Sequence, residues 1–227
     1  MLGDNGRRFP QERACPGRQR VKCLGTLEMH VGVFFASPAG PDFAQDEIRV
    51  QAIGQPVEHS VFCLGYRLEE QGRPGRFDPQ AAEALGVPFG PLRGQLQRGQ
   101  TVVTPEGKSV RPEQVLGPAR RGRRLAFITD TALTPALQTL LHDADLAFVE
   151  GMFLGEHLQE AVEKKHLTVE QAATAARQAG VPRLVLVHIS PRYDGADLAR
   201  LQQEASPHHP EARVARDGEL YSIPLPE

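Results

Sequence analysis

Three short apolar runs each end in a residue that can bind a metal ion or move a proton. Leu125-Ala126-Phe127-Ile128 leads into Thr129-Asp130-Thr131, Leu146-Ala147-Phe148-Val149 into Glu150-Gly151, and Leu184-Val185-Leu186-Val187 into His188-Ile189-Ser190. A polar or helix-like segment follows each run, so the chain after Gly122 reads as βαβα alternation, the pattern of a parallel sheet covered by helices. In such sheets the ligand crevice lies beyond the carboxyl ends of the strands. An Asp, a Glu and a His in that repeated position point to one shared site. Singly, each has an ordinary reading: Asp130 as a helix N-cap, Glu150 as a polar turn, His188 as a satisfied edge histidine. All three together would place polar groups at one edge by coincidence.

The spacing predicts strands at 124–129, 145–149 and 183–188, with helices at 133–143, near 156–163, at 168–179 and at 195–205. Thr168 and Gln171 form a capping box, in which hydroxyl and amide each satisfy an orphan N–H at the helix start. Gly180 stands where a C′ glycine belongs. Two closing strands are expected over 212–215 and 220–223, turning at Asp217-Gly218. Upstream, Ile48 to Ala52 and Val61 to Leu68 read as strands separated by a Gln-Pro break. The stretch from Gly72 to Gly99 is rich in Gly, Pro and Arg, a long and loosely patterned connection of the kind that is functional or disordered. Asp78 to Leu85 can make a short helix within it; Thr101–Val103 and the segment near Val115 read as short strands. Residues 1 to about 40 lack any sustained period, and only Gly32 to Ala36 could start something ordered.

Charge is strongly segregated although the net is only −2. Residues 73–124 carry ten Lys and Arg against four acids, whereas residues 125–227 carry eight against fifteen. A basic middle between acidic flanks suggests contact with a polyanion, or a solvated loop with surface arginines. Three cysteines (Cys15, Cys23, Cys63) without a C-x-x-C pair argue against a disulfide framework and a thiolate zinc site, and favour a reducing cytosol. No apolar run reaches the roughly 20 residues that span a bilayer, and no apolar h-region follows the basic N-terminus.

Two further histidines enter. His59 sits between Glu58 and a buried-looking strand, and His166 directly precedes Leu167 and the helix cap Thr168. With Glu150 as partner, His166 could serve as an acid; alone it reads equally as a loop residue. His208-His209, beside Pro207 and Pro210, reads as an exposed turn.

The run Lys165-His166-Leu167-Thr168, continuing through Gln171-Ala172-Ala173 and Ala176 to Ala179, together with Leu184 through His188-Ile189-Ser190-Pro191-Arg192-Tyr193, resembles the ribonuclease Z family. These are the tRNA 3′-end endonucleases of the metallo-β-lactamase superfamily. Glu58-His59-Ser60 with Gly65-Tyr66-Arg67-Leu68-Glu69-Glu70 resembles the family's stretch around an isolated metal-ligand histidine. Phe127 to Thr131 resembles its bridging-aspartate motif. Asp145 through Phe153 resembles the motif holding the acidic partner of the catalytic histidine, and Leu85 to Leu92 resembles a Gly-Pro segment. All stand in the family's order over roughly Glu47 to Pro226. Thr129 replaces a usual Gly, Leu167 a usual Ser, and Gly151-Met152 a usual Ala-Thr, which would alter the packing behind the ligands. The family's main metal motif, H-x-H-x-D-H, occurs nowhere in the chain.

The resemblance implies an α/β fold, the αββα sandwich, here as its later portion: residues 1–40 unmatched, and residues 41–227 a partial domain with a protruding arm at about 71–99. It implies two zinc ions, with Asp130 bridging, His59 on one and His188 on the other, and His166, oriented by Glu150, protonating the leaving oxygen. Arg73, Arg76, Arg93 and Arg98 on the arm would neutralise phosphates of precursor tRNA, and the arm would move freely without RNA. Arg192 and Tyr193 would position phosphate or simply hold their loop. The implied product is a tRNA with a free 3′-hydroxyl, and the implied protein a cytoplasmic homodimer. With the H-x-H-x-D-H motif absent, this chain alone would bind zinc weakly and cleave little. Two other readings stay open: another hydrolase of the same fold acting on a small ester, and a non-catalytic RNA-binding or subunit-forming module.

Overall fold

The computed structural model describes residues 50–226. The expectations for residues 1–40, for Cys15 and Cys23, and for Ile48-Arg49 lie outside them.

A β-meander opens the fold. Strands β1 (Val50–Val57) and β2 (Cys63–Glu70) pair antiparallel. The chain then leaves the sheet through α1 (Pro79–Ala84), α2 (Pro91–Gln97), β3 (Val102–Val103) and β4 (Ser109–Val110), and returns in β5 (Arg124–Ile128). Next come α3 (Pro135–Leu141), β6 (Leu146–Glu150), α4 (Leu158–Lys164), α5 (Val169–Gln178), β7 (Leu184–Val187), α6 (Gly195–Ala205) and β8 (Ala212–Val214). The sheet order is β1-β2-β5-β6-β7-β8, with β5 through β8 parallel. The βαβα reading after Gly122 thus becomes one sheet whose carboxyl ends share an edge.

One face of this sheet carries the core. Ala126, Ile128, Ala147, Val149, Leu184 and Leu186 pack against Leu137, Leu140 and Leu141 of α3, the alanines of α5, and Leu201 and Ala205 of α6. Burying each of these leucines contributes about 1.5–3 kcal/mol. The capping box is present: the Thr168 hydroxyl accepts from Gln171 N–H at 3.2 Å, and the Gln171 side chain from Thr168 N–H at 3.0 Å. Gly65 is a glycine because α3 comes too close for anything larger: a Cβ there would lie 2.5 Å from Leu140 Cδ1. Two residues on, the Arg67 guanidinium is buried and caps the end of α3 through the Leu140 and His142 carbonyls, paired also with Glu69.

Several expectations change. The Gln-Pro break falls inside β1, which among the described residues is an edge strand, the place where a proline forfeits no inner ladder bond. Near Val115 there is a 3-10 turn, Pro112–Gln114, rather than a strand. Residues 220–223 form no strand; the Ile223 carbonyl accepts instead from the Arg123 guanidinium, while the Tyr221 ring meets Phe148 edge-on at 5.4 Å. The segment expected as an arm at 71–99 has structure of its own and extends further along the chain. It runs to about residue 121, closed by bridges Arg73↔Arg120 and Phe77↔Leu116. It has its own core of Ala82, Val87, Leu96, Val102, Val110 and Val115. Half of those residues lie beyond Gly99, which is why the shorter stretch looked unpatterned. Its two legs touch so closely at Gly75 that a Cβ would strike the Gly117 carbonyl. No described helix is long and apolar enough to cross a membrane.

Candidate active site

In-register pairing of β5, β6 and β7 sets Ile128 beside Val149 and Glu150 beside Val187. Asp130, Glu150 and His188 therefore leave the sheet side by side. Asp130 and His188 both adopt left-handed backbone, each with φ of 54°. That conformation costs an L-residue roughly 1–2 kcal/mol, and non-glycine residues held so concentrate at functional sites. Nothing in the sequence signalled it.

Glu150 is the hub. It is fully buried, with one carboxylate oxygen accepting from Thr131 N–H at 2.5 Å and the other 2.8 Å from His166 Nδ1 and 3.5 Å from His188 Nδ1. A carboxylate buried without partners would be strongly disfavoured; here every approach is from a donor. On its other side, His188 Nε2 lies 3.7 Å from Asp130 Oδ1. The bond to Glu150 raises the His188 pKa against the opposing effect of burial, with Asp130 adding to the rise.

His59, in the β1–β2 connection, joins from the opposite strand direction. Its ring centre lies 4.8 Å from that of His166, which lies 5.4 Å from that of His188. Donor atoms of His59, Asp130 and His166 fall within 4.8 Å of one another, as do those of Glu150, His166 and His188. The five residues singled out in the sequence thus form one cluster of imidazole nitrogens and carboxylate oxygens. This donor set fits a divalent ion of borderline softness such as zinc. Cys63 is close enough to feel Asp130 and Glu150, but burial first, and then those charges, push its thiol up.

The remaining candidates divide. Arg76 and Arg98 are exposed on the arm. Arg73 is half-buried at the arm's base and donates to the Pro226 carbonyl, while Arg93 donates to the Val87 carbonyl and lies over the Phe89 ring. Arg192 forms a two-bond pair with Glu160 at 2.6 and 2.8 Å and covers the Phe153 ring. With Lys164, it holds the Glu160 carboxyl down at about 2. The buried Tyr193 hydroxyl accepts from Leu154 N–H and meets His157. Arg192 and Tyr193 are thus committed to protein partners, which supports loop-holding over phosphate contact. His209 is buried, its Nε2 donating to the Val181 carbonyl, rather than lying in an exposed turn.

Sequence reasoning missed Lys165, whose left-handed backbone turns its carbonyl onto His59, and Phe153, edge-on to His166. A lysine at a helix end carries no sequence mark of positive φ. Of the noted departures, Gly151 has a packing reason: a Cβ there would meet Val169 Cγ1 at 2.9 Å. Leu167 is fully buried in the core beside it.

A sequence family described as the beta-lactamase superfamily domain matches residues 99–189. Among curated proteins, the chain is 44% identical over 212 residues to a ribonuclease Z of Salinibacter ruber, covering 93% of this chain and 64% of that one. It is 47% identical over 161 residues to a ribonuclease Z of Treponema pallidum, covering 71% and 52%. A ribonuclease Z of Myxococcus xanthus is 44% identical over 176 residues, covering 78% and 57%. The chain therefore spans about half to two-thirds of the length of these relatives. The chain is thus similar to ribonuclease Z proteins over most of its own length, and its residues 99–189 match the beta-lactamase superfamily domain.

Proposed function

We propose that this chain carries one side of the active site of a zinc-dependent endoribonuclease that removes the 3′ trailer from precursor tRNA and leaves a 3′-hydroxyl. The observation that carries the reading is the convergence of His59, Asp130, Glu150, His166 and His188 at one strand edge. His59 and His188 would each hold one ion and Asp130 would be shared between them. Zinc, when bound, supplies an acidified water and charge stabilisation at the phosphodiester. His166, its Nδ1 engaged by Glu150, presents Nε2 for passing a proton to the leaving oxygen. Glu150 cannot swing away, because Thr131 N–H holds its other oxygen. The exposed Arg76 and Arg98 fit phosphate contacts of the tRNA body, made independently of the chemistry. A homodimer and a cytoplasmic location belong to the same proposal.

The test is a precursor tRNA with a labelled 3′ trailer, incubated with excess chain over a zinc titration. Zinc-dependent release of the trailer, abolished by His166→Ala, is expected even if slow; a 3′-hydroxyl on the tRNA fragment completes it. Hydrolysis of a small phosphodiester without trailer release would shift the reading to another hydrolase of this fold. One specific observation favours a second reading: the described residues offer one histidine per ion and a shared carboxylate, fewer than the three protein ligands of a usual catalytic zinc. Metal-independent tRNA binding without cleavage would make the chain a non-catalytic RNA-binding or subunit-forming module.

A further inference from the structure

We infer that Lys165 is a positioning residue that sets which nitrogen of His59 faces the metal cluster. His59 Nδ1 lies 3.1 Å from the Lys165 carbonyl oxygen. A carbonyl only accepts, so Nδ1 carries the proton and Nε2 keeps the lone pair. The carbonyl reaches His59 because Lys165, at the end of α4, has φ 58° and ψ 48°, a left-handed turn that redirects the chain. This turn is anchored from both sides. Lys165 N–H and His166 N–H return to the last turn of α4, and the Lys165 ammonium pairs with Glu58 at 3.3 Å. The Glu58 carbonyl in turn accepts from Ala132 N–H at 2.7 Å. Glu58 and Lys165 thereby join the segments that carry His59, Asp130 and His166, three side chains with no covalent proximity. His166 is held in the same sense, its Nδ1 on Glu150. Two consecutive residues, Lys165 by its backbone and His166 by its ring, therefore set both Nε2 atoms toward the cluster.

The inference rests on the reading of His59 as a metal ligand, but its primary measurement needs neither metal nor RNA. In the full chain with ¹⁵N-labelled histidine, long-range proton–nitrogen spectra of the metal-free protein report which ring nitrogen is protonated; His59→Gln assigns the signal. At a pH where the ring is neutral, His59 should show a protonated Nδ1 and a bare Nε2. Lys165→Gly keeps the left-handed turn and the carbonyl and should leave this pattern unchanged, with zinc affinity within about twofold. Lys165→Val disfavours the turn; it should mix the two tautomers and lower zinc affinity about 10- to 100-fold in competition with a chromophoric chelator. A protonated Nε2 in the unsubstituted chain would overturn the inference. So would a folded Lys165→Val chain with unchanged spectrum and unchanged affinity. Should Lys165→Val not fold, the unsubstituted spectrum and Lys165→Ala decide in the same way. Zinc affinity that His59→Gln does not alter would defeat the ligand reading while leaving the tautomer result standing.

Discussion

Replacing Glu150 by glutamine isolates the charge of the hub from its shape. The amide oxygen can still accept from Thr131 N–H, so that 2.5 Å contact survives. The amide nitrogen then faces His166 Nδ1, at the position of an oxygen now 2.8 Å away, and two donors meet. His166 must move its proton to Nε2 or turn away. The loss is one hydrogen bond to a charged group, roughly 1.5–3 kcal/mol. At about 2–4 °C per kcal/mol for a domain of this size, the melting temperature should fall by roughly 3–12 °C. The loss also has a pH signature. Glu150 is the main cause of the raised His188 pKa. A histidine whose folded pKa is raised contributes stability that is fully present below its unfolded value, about 6.5, and lost as pH rises through the folded value. The stability gap between the metal-free parent and Glu150→Gln should therefore be widest at pH 5 to 6.5 and narrow above. Urea unfolding across pH 5–9 measures the gap, and NMR titration of His188 should show its midpoint falling toward the ordinary value. A melting temperature within a degree of the parent, together with an unmoved His188 midpoint, would refute the hub.

Other outcomes test separate parts of the structure. Gly65→Ala should cost about 1–3 kcal/mol by overpacking against Leu140, and Leu140→Ala about 2.7–5 kcal/mol by leaving a cavity. Together they should cost at least about 0.5 kcal/mol less than their sum, because one relieves the other; strict additivity in chemical denaturation would contradict the contact at Gly65. Asp130→Gly should be more stable than Asp130→Ala by about 1–2 kcal/mol, since only glycine is free of the left-handed penalty; both should lose zinc. Arg76→Ala and Arg98→Ala should each reduce the salt slope of tRNA binding by about one. Arg93→Ala should instead loosen the arm, seen as faster amide exchange around Val87. Substituting all four arm arginines without changing tRNA affinity across a salt series would remove the arm from the RNA interface. Equilibrium dialysis should find the isolated chain binding zinc weakly; tight near-stoichiometric zinc with robust cleavage would show that one histidine per ion suffices.

Much of the architecture was legible because its signals are local. The capping box at Thr168 and the bounds of α6 rest on neighbouring residues and came out as expected. Elements that depend on remote partners did not. Pro56 lies within a strand on whose far side no other described strand pairs. The strand expected at 220–223 is coil, and the Ile223 carbonyl accepts from the Arg123 guanidinium just before β5 rather than from a ladder partner. The arm reads as unpatterned over 71–99 because half its core comes from Val102, Val110 and Val115.

The sequence by itself placed Asp130, Glu150 and His188 at one sheet edge, whereas His59 and His166 were assigned to the site only through resemblance. Parallel strands in register bring their carboxyl ends to one edge, so the residue after each apolar run is placed by periodicity alone. Tertiary structure decided how those residues are held: the left-handed backbone at Asp130, Lys165 and His188, the Glu150 oxygens divided between Thr131 N–H and two imidazoles, and the pairing of Arg192 with Glu160. Periodicity specifies direction along a chain, whereas a ring nitrogen or a carboxylate oxygen is oriented by whichever donor or acceptor reaches it from another segment. That contact exists only after the segments have packed.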